Sequence, residues 1–255
     1  PIPGIDTVPY WTHRDALDNK EFPKSLVVIG GGVIGMEFAS FFNSLGVEVT
    51  VIEMLDEILG GMDKELSAML RAEYAKRGIK FMLNTKVVSL DGSAGENGET
   101  QIRVNYENAE GTGFSVAEKL LMSVGRRPVT KGFGLENLNP EKTERGNIRV
   151  DGQMRTSVPG VYACGDLTGF TLLAHTAVRE AEVAVHAVLG KKDCMSYRAI
   201  PGVVYTNPEI AGVGDTEEAL QKKGIPYRTV KLPMAYSGRF VAENEGVNGM
   251  CKLLL

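Results

Sequence analysis

Three glycines near the beginning of the chain have the spacing of a turn that holds phosphate groups. Gly30, Gly32 and Gly35 form the pattern G-x-G-x-x-G, and Glu53 follows at the distance of about twenty residues that a dinucleotide-binding unit requires. The first glycine permits a tight turn, the second lets a pyrophosphate approach the backbone, and the third lets a helix pack close to a strand. The pattern predicts a dinucleotide-binding turn; a glycine-rich structural turn without a ligand is the alternative.

The residue type at position 53 indicates which dinucleotide binds. The Glu53 carboxylate can accept two hydrogen bonds from the diol of an adenosine ribose, but it repels a 2′-phosphate. Met54, the next residue, brings no positive charge that would attract that phosphate. The sequence therefore predicts NAD rather than NADP as the ligand.

Strand and helix patterns flank the glycines in the order that such a unit needs. The apolar run Leu26–Ile29 predicts a buried parallel strand, and Val47–Ile52 predicts a second strand that ends at the acid. Gly46 is expected to end the helix between them, whose free N-terminal N–H groups face the phosphates. The buried face of this helix is expected to consist of Ile34, Phe38, Phe41 and Leu45.

The following residues continue the alternation of strand and helix and then depart from it. Asp63 is expected to cap a helix that continues to Arg77, and residues 79–83 predict a third strand. Within 86–124, short strands alternate with glycine-rich turns, which predicts a β-meander in place of a third helix. Its last segment, 119–124, is expected to be a buried strand.

The second half of the chain contains two further patterns. A strand at 161–164 is expected to end in Gly165-Asp166, and a helix is expected at 172–189. After residue 197 the order strand, helix, strand predicts an α+β unit, with Thr216 as a helix cap. The buried stripe of the 172–189 helix is expected to consist of Ala174, Val178, Ala181, Val185 and Leu189.

Composition excludes several classes of function. The net charge is −4 without a basic block, so neither nucleic acid nor an anionic membrane is an expected partner. No apolar run approaches the length of a membrane span, and no signal peptide opens the chain. Cys164, Cys194 and Cys251 are far apart, which predicts no metal site, no disulfide scaffold and a cytoplasmic location. Because the chain begins at Pro1 and stops within an apparent strand, we expect a piece of a longer protein.

Five segments in a fixed order resemble one family. Residues 30–37 resemble the family's NAD turn, and residues 124–128 resemble its return to the flavin domain. Residues 156–166 resemble its second FAD signature, and residues 173–175 its flavin-contacting turn. Residues 200–209 resemble the start of its dimerisation domain. On these segments the chain is similar to the flavoprotein disulfide reductases, and within them to the dihydrolipoamide dehydrogenases. The resemblance covers nearly the whole chain.

The resemblance implies an α/β fold with three parts after a linker. A Rossmann-like NAD-binding domain with an inserted β-meander is expected at 25–128, following the linker at 1–24. The C-terminal part of an FAD-binding domain is expected at 129–192, and part of an α+β interface domain, the dimerisation domain, at 193–255. The longer parent is expected to be a homodimer.

The resemblance also implies which residues contact the two cofactors. Asp166 would hydrogen-bond the ribitol of FAD, and Glu37 would pair with a lysine of the flavin domain beside the isoalloxazine, which makes Glu37 the one catalytic candidate. A surface acid at Glu37, a helix cap at Asp166 and a purely structural role for His175 are the alternatives. The full set of implied cofactor-binding residues is Gly30, Gly31, Gly32, Val33, Ile34, Gly35, Met36, Glu37, Glu53, Val87, Gly125, Asp166, Leu172, Leu173, Ala174 and His175.

The catalytic parts of the family are not found in this sequence. The redox-active Cys-x4-Cys pair has no counterpart among the three cysteines. From the resemblance, we expect the family's His–Glu pair to lie beyond Leu255. The parent is expected to oxidise dihydrolipoamide, carried on the lipoyl domain of a 2-oxoacid dehydrogenase complex, through a protein disulfide and FAD to NAD. This chain alone is expected to bind NAD at best.

Two kinds of alternative stay open from the sequence. Other disulfide reductases, acting on glutathione or mercuric ion, and the soluble pyridine nucleotide transhydrogenases share these motifs, although Glu53 disfavours the NADP-dependent members. A non-catalytic NAD-binding module or redox sensor is the second alternative. The flavin signature at Asp166 argues against a sensor of NAD alone.

Overall fold

Four parallel strands form the sheet of the first half of the chain in the computed structural model, which describes residues 2–94, 100–244, 246 and 248–255. No helix in that described part is long and apolar enough to cross a membrane. The helices are α1 (His13–Asp18), α2 (Val33–Ser44), α3 (Lys64–Lys76), α4 (Ala174–Val188), α5 (Glu217–Lys223) and α6 (Gly238–Glu243). The strands are β1 (Ser25–Ile29), β2 (Glu48–Ile52), β3 (Lys80–Met82), β4 (Lys86–Ala94), β5 (Thr100–Asn108), β6 (Gly111–Ala117), β7 (Lys119–Met122), β8 (Gly202–Val204), β9 (Ile210–Gly212), β10 (Thr229–Pro233) and β11 (Met250–Leu254).

The parallel sheet has the order β3-β2-β1-β7. In β1, Val28 lies opposite Val51 of β2 and Leu121 of β7. Alternate residues of β1 enter different cores, because Val28 packs with residues of α2 and α3 whereas Val27 packs with residues of the meander. A strand that is buried on both faces needs the continuous apolar run that the sequence shows.

The predicted β-meander is present between β3 and β7. Strands β4, β5 and β6 form an antiparallel sheet in which Val104 of β5 lies opposite Leu90 of β4 and Ser115 of β6. Residues 95–99, which belong to the predicted meander, lie outside the described residues. Strand β7 then joins the parallel sheet beside β1, so the predicted fold class, α/β with a Rossmann-like sheet and an inserted meander, is confirmed.

The predicted helix boundaries follow from local capping. The Asp63 carboxylate accepts hydrogen bonds from the N–H groups of Glu65 at 3.1 Å and Leu66 at 3.4 Å, which fixes the start of α3. Thr216 caps α5 in the same way, through the N–H group of Ala219 at 3.2 Å. Polar side chains next to an apolar pattern thus predicted both starts correctly.

The buried face predicted for α2 is wrong. Phe41 and Leu45 are 52% and 45% exposed, whereas Met36, Ala39 and Phe42 are almost fully buried. Apolar residues occupy both stripes of this helix, so periodicity alone does not select one of them. The stripe that faces the core includes the small residue Ala39, which permits close packing on the sheet.

Two predictions for the second half of the chain are also wrong. The stripe predicted to be buried in α4 is largely exposed, with Val178 at 62% and Val185 at 55%, while Thr176, Glu180, Val183 and Ala187 are buried. No strand forms at 161–164 in the described structure, where Tyr162 makes a single bridge to Arg155. A strand requires a ladder of partners, and one bridge does not supply it.

The chain divides into two compact units. Val203–Leu255 belongs to the same unit as the chain up to Gly125, and Arg126–Gly202 forms the other unit. Within the first unit, the Tyr74 hydroxyl donates to the carbonyl oxygen of Asn207 at 3.0 Å and accepts from its N–H group at 2.9 Å. The domain boundaries expected after residues 24, 128 and 192 stay predictions.

A buried lysine links the C-terminal strand to the start of α3. The Lys252 side chain in β11 is 3% exposed, and its Nζ lies 2.8 Å from Asp63 Oδ2 and 3.1 Å from Glu65 Oε2. It also contacts the Glu217 carboxylate of α5. Burial alone would lower the pKa of Lys252, but the three carboxylates outweigh it and raise that pKa above its usual range. The lysine therefore stays charged and compensates several acids at once.

We expect Lys252→Met to lower the free energy of unfolding by about 3 kcal/mol, because it leaves the buried Asp63 and the partly exposed Glu65 and Glu217 without their cation. Urea unfolding at neutral pH measures this loss. The lysine also lowers the pKa of Glu217 below the ordinary carboxyl value of 4.5. That contribution is present above the ordinary value and is lost as pH falls through the lowered one. Acidification should therefore destabilise the wild type more than the variant.

Lys86→Met is the matched control for this substitution. Lys86 also pairs with a glutamate, Glu107, but its side chain is 62% exposed. Exposed pairs contribute little, so a change of about 0.5 kcal/mol or less is expected for the control. Equal losses for the two variants would contradict the role given to Lys252.

Candidate functional site

The glycine turn leaves β1 at the carboxyl edge of the parallel sheet. Gly30 has a φ of 101°, in the left-handed region that favours glycine, and its N–H group donates to the carbonyl oxygen of Ile52 at 2.9 Å. A Cβ at Gly30 would lie 2.3 Å from the carbonyl oxygen of Ser123. The turn is therefore enclosed by the ends of β2 and β7, at the edge where ligands of such sheets bind.

Gly35 and Gly32 differ in the space that surrounds them. A Cβ at Gly35 would lie 2.0 Å from the carbonyl oxygen of Gly30, so the first turn of α2 rests directly on the turn before it. A Cβ at Gly32 would meet no atom within 4 Å. The space in front of Gly32 is open at the N-terminus of α2, where N–H groups and the helix dipole favour an anion.

Two backbone groups orient the Glu53 carboxylate beside this turn. Glu53 Oε2 accepts from the N–H group of Gly31 at 2.6 Å, and Oε1 accepts from that of Leu55 at 2.8 Å. Each carboxylate oxygen retains a further lone pair for a ribose hydroxyl. Glu53 therefore fits the role of ribose acceptor that the sequence predicts for it.

The loop after Glu53 covers the glycine turn, and the sequence analysis did not predict this contact. We call residues 54–62 the covering loop. The N–H group of Leu59 donates to the carbonyl oxygen of Gly31 at 2.8 Å, and Ile58 and Leu59 are both buried. A Cβ at Gly31 would lie 3.0 Å from Ile58 Cγ2, so Gly31 is the glycine that this packing needs. The adjacent apolar pair Ile58-Leu59 was the signal in the sequence.

The remaining residues expected at the NAD site differ in how they can contact a ligand. Val33 is exposed and Ile34 is half-buried, whereas Met36 is fully buried in the core and its N–H group donates to the carbonyl oxygen of Gly32 at 2.9 Å. Val87 is half-buried against the meander core, and Gly125, with a φ of 114°, has open space around it.

Glu37 contacts a residue that the sequence did not predict. Its Oε1 accepts a hydrogen bond from the N–H group of Tyr205 at 2.9 Å, within the same unit of the chain. The expected pairing with a flavin-side lysine is not tested by this contact, because a carboxylate accepts several hydrogen bonds. That pairing stays a prediction.

In the second unit, a short 3₁₀ helix at Gly165–Leu167 presents Asp166 to solvent. Among the described residues, none donates a hydrogen bond to the Asp166 carboxylate, so it is free to accept from a ligand hydroxyl. The alternative role of Asp166 as a helix cap is not seen, since that 3₁₀ helix begins after Cys164. These features fit the ribitol contact implied by the sequence.

Glu180 holds the turn that carries Asp166, and no pattern in the sequence predicted this contact. It is 1% exposed, and its carboxylate accepts from the N–H group of Gly165 at 2.5 Å and from the Tyr197 hydroxyl at 2.7 Å. Burial and this carboxylate raise the pKa of Tyr197 above its usual range.

The expected flavin-contacting residues lie together at the start of α4. Leu173 is the residue before the helix, Leu172 and Ala174 are exposed, and His175 Nε2 lies 2.9 Å from the carbonyl oxygen of Pro201. This contact does not decide between a structural role and the expected flavin contact of His175, which stays a prediction. In the described part of the chain, no group of three or more His, Cys, Asp or Glu side chains is arranged to hold a metal ion.

Comparison with known proteins gives the same assignment along the whole chain. Residues 1–181 match the family described as pyridine nucleotide-disulphide oxidoreductase, and residues 200–255 match the dimerisation domain of that family. The chain is 40% identical over 257 residues to dihydrolipoyl dehydrogenase 1, mitochondrial, of Arabidopsis thaliana. It is 40% identical over 261 residues to the mitochondrial dihydrolipoyl dehydrogenase of Homo sapiens. These alignments cover 99% and 100% of this chain and 50% of each relative.

A solved structure has the same fold over the full chain. The HOCl-induced flavoprotein disulfide reductase RclA of Escherichia coli, solved as a Cu(II) complex, superposes with a TM-score of 0.87 at 31% identity and covers 100% of this chain and 57% of its own. The chain belongs to the pyridine nucleotide-disulphide oxidoreductase family, which confirms the resemblance seen in the sequence. It spans about half the length of the curated relatives it matches, 50% in the first of them.

The two glycines allow a matched pair of substitutions. Gly35→Ala should lower the free energy of unfolding by about 3 kcal/mol, because the added Cβ clashes with backbone that has no space to move. Gly32→Ala should change it by about 1 kcal/mol or less, since the site is open and the helix loses only a preferred cap residue. Thermal unfolding of the two variants measures the difference. Equal destabilisation would contradict the geometry described for the turn.

Proposed function

We propose that this chain is the NAD-binding half of a dihydrolipoyl dehydrogenase, with residues that also contribute to an FAD site and to a dimer interface. The observation that carries the proposal is the glycine turn with an open approach at Gly32 and an oriented carboxylate at Glu53. The 40% identity to dihydrolipoyl dehydrogenases of plant and human mitochondria supports the choice of enzyme within the family.

The residues of the turn would bind and orient NAD in a defined way. Backbone N–H groups at the start of α2 would hold the pyrophosphate in front of Gly32, and Glu53 would accept from the ribose hydroxyls. Glu53 would repel the 2′-phosphate of NADP, as would any acid at this position. In the second unit, Asp166 would hold the FAD ribitol, and 172–175 would approach the flavin mainly through their backbone. When bound, the flavin and the nicotinamide supply the hydride chemistry.

The family matches and the names of the relatives support the proposed partners. The match of residues 200–255 to a dimerisation domain supports a homodimer of the longer protein. The substrate would be dihydrolipoamide on the lipoyl domain of a 2-oxoacid dehydrogenase complex, and electrons would reach NAD through a protein disulfide and FAD. A second candidate is a different disulfide reductase of the same family, which the superposition with RclA favours.

Calorimetric titration of this chain with NAD and with NADP tests the nucleotide site. We expect NAD to bind at least about tenfold more tightly than NADP, a difference of about 1.4 kcal/mol. Glu53→Gln should weaken NAD binding and reduce the preference over NADP, because the charge that repels the 2′-phosphate is gone. Glu107→Gln, which removes an exposed acid of the meander, should change neither value. Equal binding of NAD and NADP by the wild type would contradict the proposal.

A second assay addresses catalysis by the same polypeptide. The sequence has three cysteines and no Cys-x4-Cys pair, so the chain has no disulfide of the kind that the family reduces. We expect no measurable oxidation of dihydrolipoamide by this chain alone, with NAD and FAD supplied. Appreciable turnover would contradict the proposal that this chain binds NAD but lacks the catalytic disulfide.

A further inference from the structure

The position of the covering loop and the orientation of Glu53 depend on each other. The N–H group of Leu55, inside the loop, is one of the two donors to the Glu53 carboxylate, at 2.8 Å. The N–H group of Leu59, further along the loop, is bonded to the carbonyl oxygen of Gly31, whose own N–H group is the second donor. A shift of this loop would therefore move both groups that orient Glu53.

One ion pair attaches the covering loop to α3 with two parallel bonds. Arg71 Nε lies 2.8 Å from Glu57 Oε1, and Arg71 Nη2 lies 2.9 Å from Glu57 Oε2. Glu57 Oε1 also accepts from the N–H group of Ile58 at 2.9 Å, which ties the carboxylate to the loop backbone. A bidentate arginine–carboxylate pair fixes both distance and orientation, which a single contact does not.

Burial distinguishes this pair from its neighbour in the same loop. The Glu57 side chain is 10% exposed and that of Arg71 is 32% exposed. The pair between Asp56 and Lys64 is 62% and 54% exposed, so it adds little restraint. Without Arg71, the Glu57 charge would have to leave its buried place, and the loop backbone would move with it.

We propose that Glu57 and Arg71 are positioning residues of the nucleotide site, which act through the covering loop to hold the Glu53 carboxylate towards the ribose of NAD. The inference rests on the proposed function, because it concerns the same site. Neither residue would contact the ligand. Their effect should therefore appear as a loss of ribose recognition and of the preference for NAD over NADP.

A double-mutant cycle with Glu53 tests whether Arg71 and Glu57 affect NAD binding through Glu53. Arg71→Lys keeps the charge but loses the fork of two bonds. It should weaken NAD binding by about fivefold in the wild-type background, but by less than about twofold in Glu53→Gln, because the residue on which it acts is already gone. Glu57→Gln should behave in the same way and serves as the second variant. Calorimetric titration with NAD and NADP measures the four proteins of each cycle.

Arg77→Lys is the matched control on the same helix region. Arg77 forms an ion pair with Glu73 and donates to the carbonyl oxygen of Asn207, and none of its described contacts is to the covering loop. The NAD affinity of the Arg77→Lys protein should therefore equal that of the wild type. If Arg71→Lys lowers the affinity for NAD equally in both backgrounds, or in neither, the inference is overturned, while the proposed NAD binding by the wild type is unaffected. Failure of the wild type to bind NAD would overturn the proposed function and this inference together.

Discussion

The close approach between α2 and the end of β1 is the constraint on which the nucleotide site depends. The backbone at Gly35 lies so near the carbonyl oxygen of Gly30 that even one methyl group, 2.0 Å from that oxygen, cannot be placed there. This approach fixes where α2 begins and which way its N–H groups face. The space at Gly32 is open, since a Cβ there would meet no atom within 4 Å.

The site is assembled from parts with very different sequence separation. The turn itself is local, and Glu53 reaches it because parallel strands β1 and β2 end at the same edge of the sheet. The covering loop then closes over Gly31 and is held by Arg71 from the next helix. Under the proposed function, recognition of a ribose would require the sheet, the loop and α3 to be in place together, which would make binding sensitive to residues that never touch the ligand.

Local sequence patterns predicted much of this architecture. They failed for helices in which more than one apolar stripe could face the core. The strands of the parallel sheet, the helix starts at Asp63 and Thr216, and the meander follow from apolar runs, caps and glycine-rich turns, but the strand expected at 161–164 does not form in the described structure. The buried faces of α2 and α4 do not, because both helices carry apolar residues on more than one stripe and the tertiary packing selects among them. In α4 it selects the stripe that contains Glu180, whose charge made burial unexpected.

The buried charged residues could not be predicted from sequence for a related reason. Lys252 meets Asp63, Glu65 and Glu217, residues far away in the chain, and a lone lysine or arginine in a sequence is ordinarily a surface residue. Glu57 and Arg71 likewise belong to separate elements. Which charges pair is known only when the fold brings them together. The cofactor contacts of Val87, Gly125 and 172–175, together with the cytoplasmic location, stay predictions.

A crystal structure of this chain grown with NAD is the most direct test of the account. It should show the pyrophosphate against the N–H groups at the start of α2, in front of Gly32, with the adenosine ribose hydroxyls within hydrogen-bond distance of the Glu53 carboxylate. A dinucleotide bound elsewhere on the chain, or bound at this edge with Glu53 making no contact to the ribose, would contradict it.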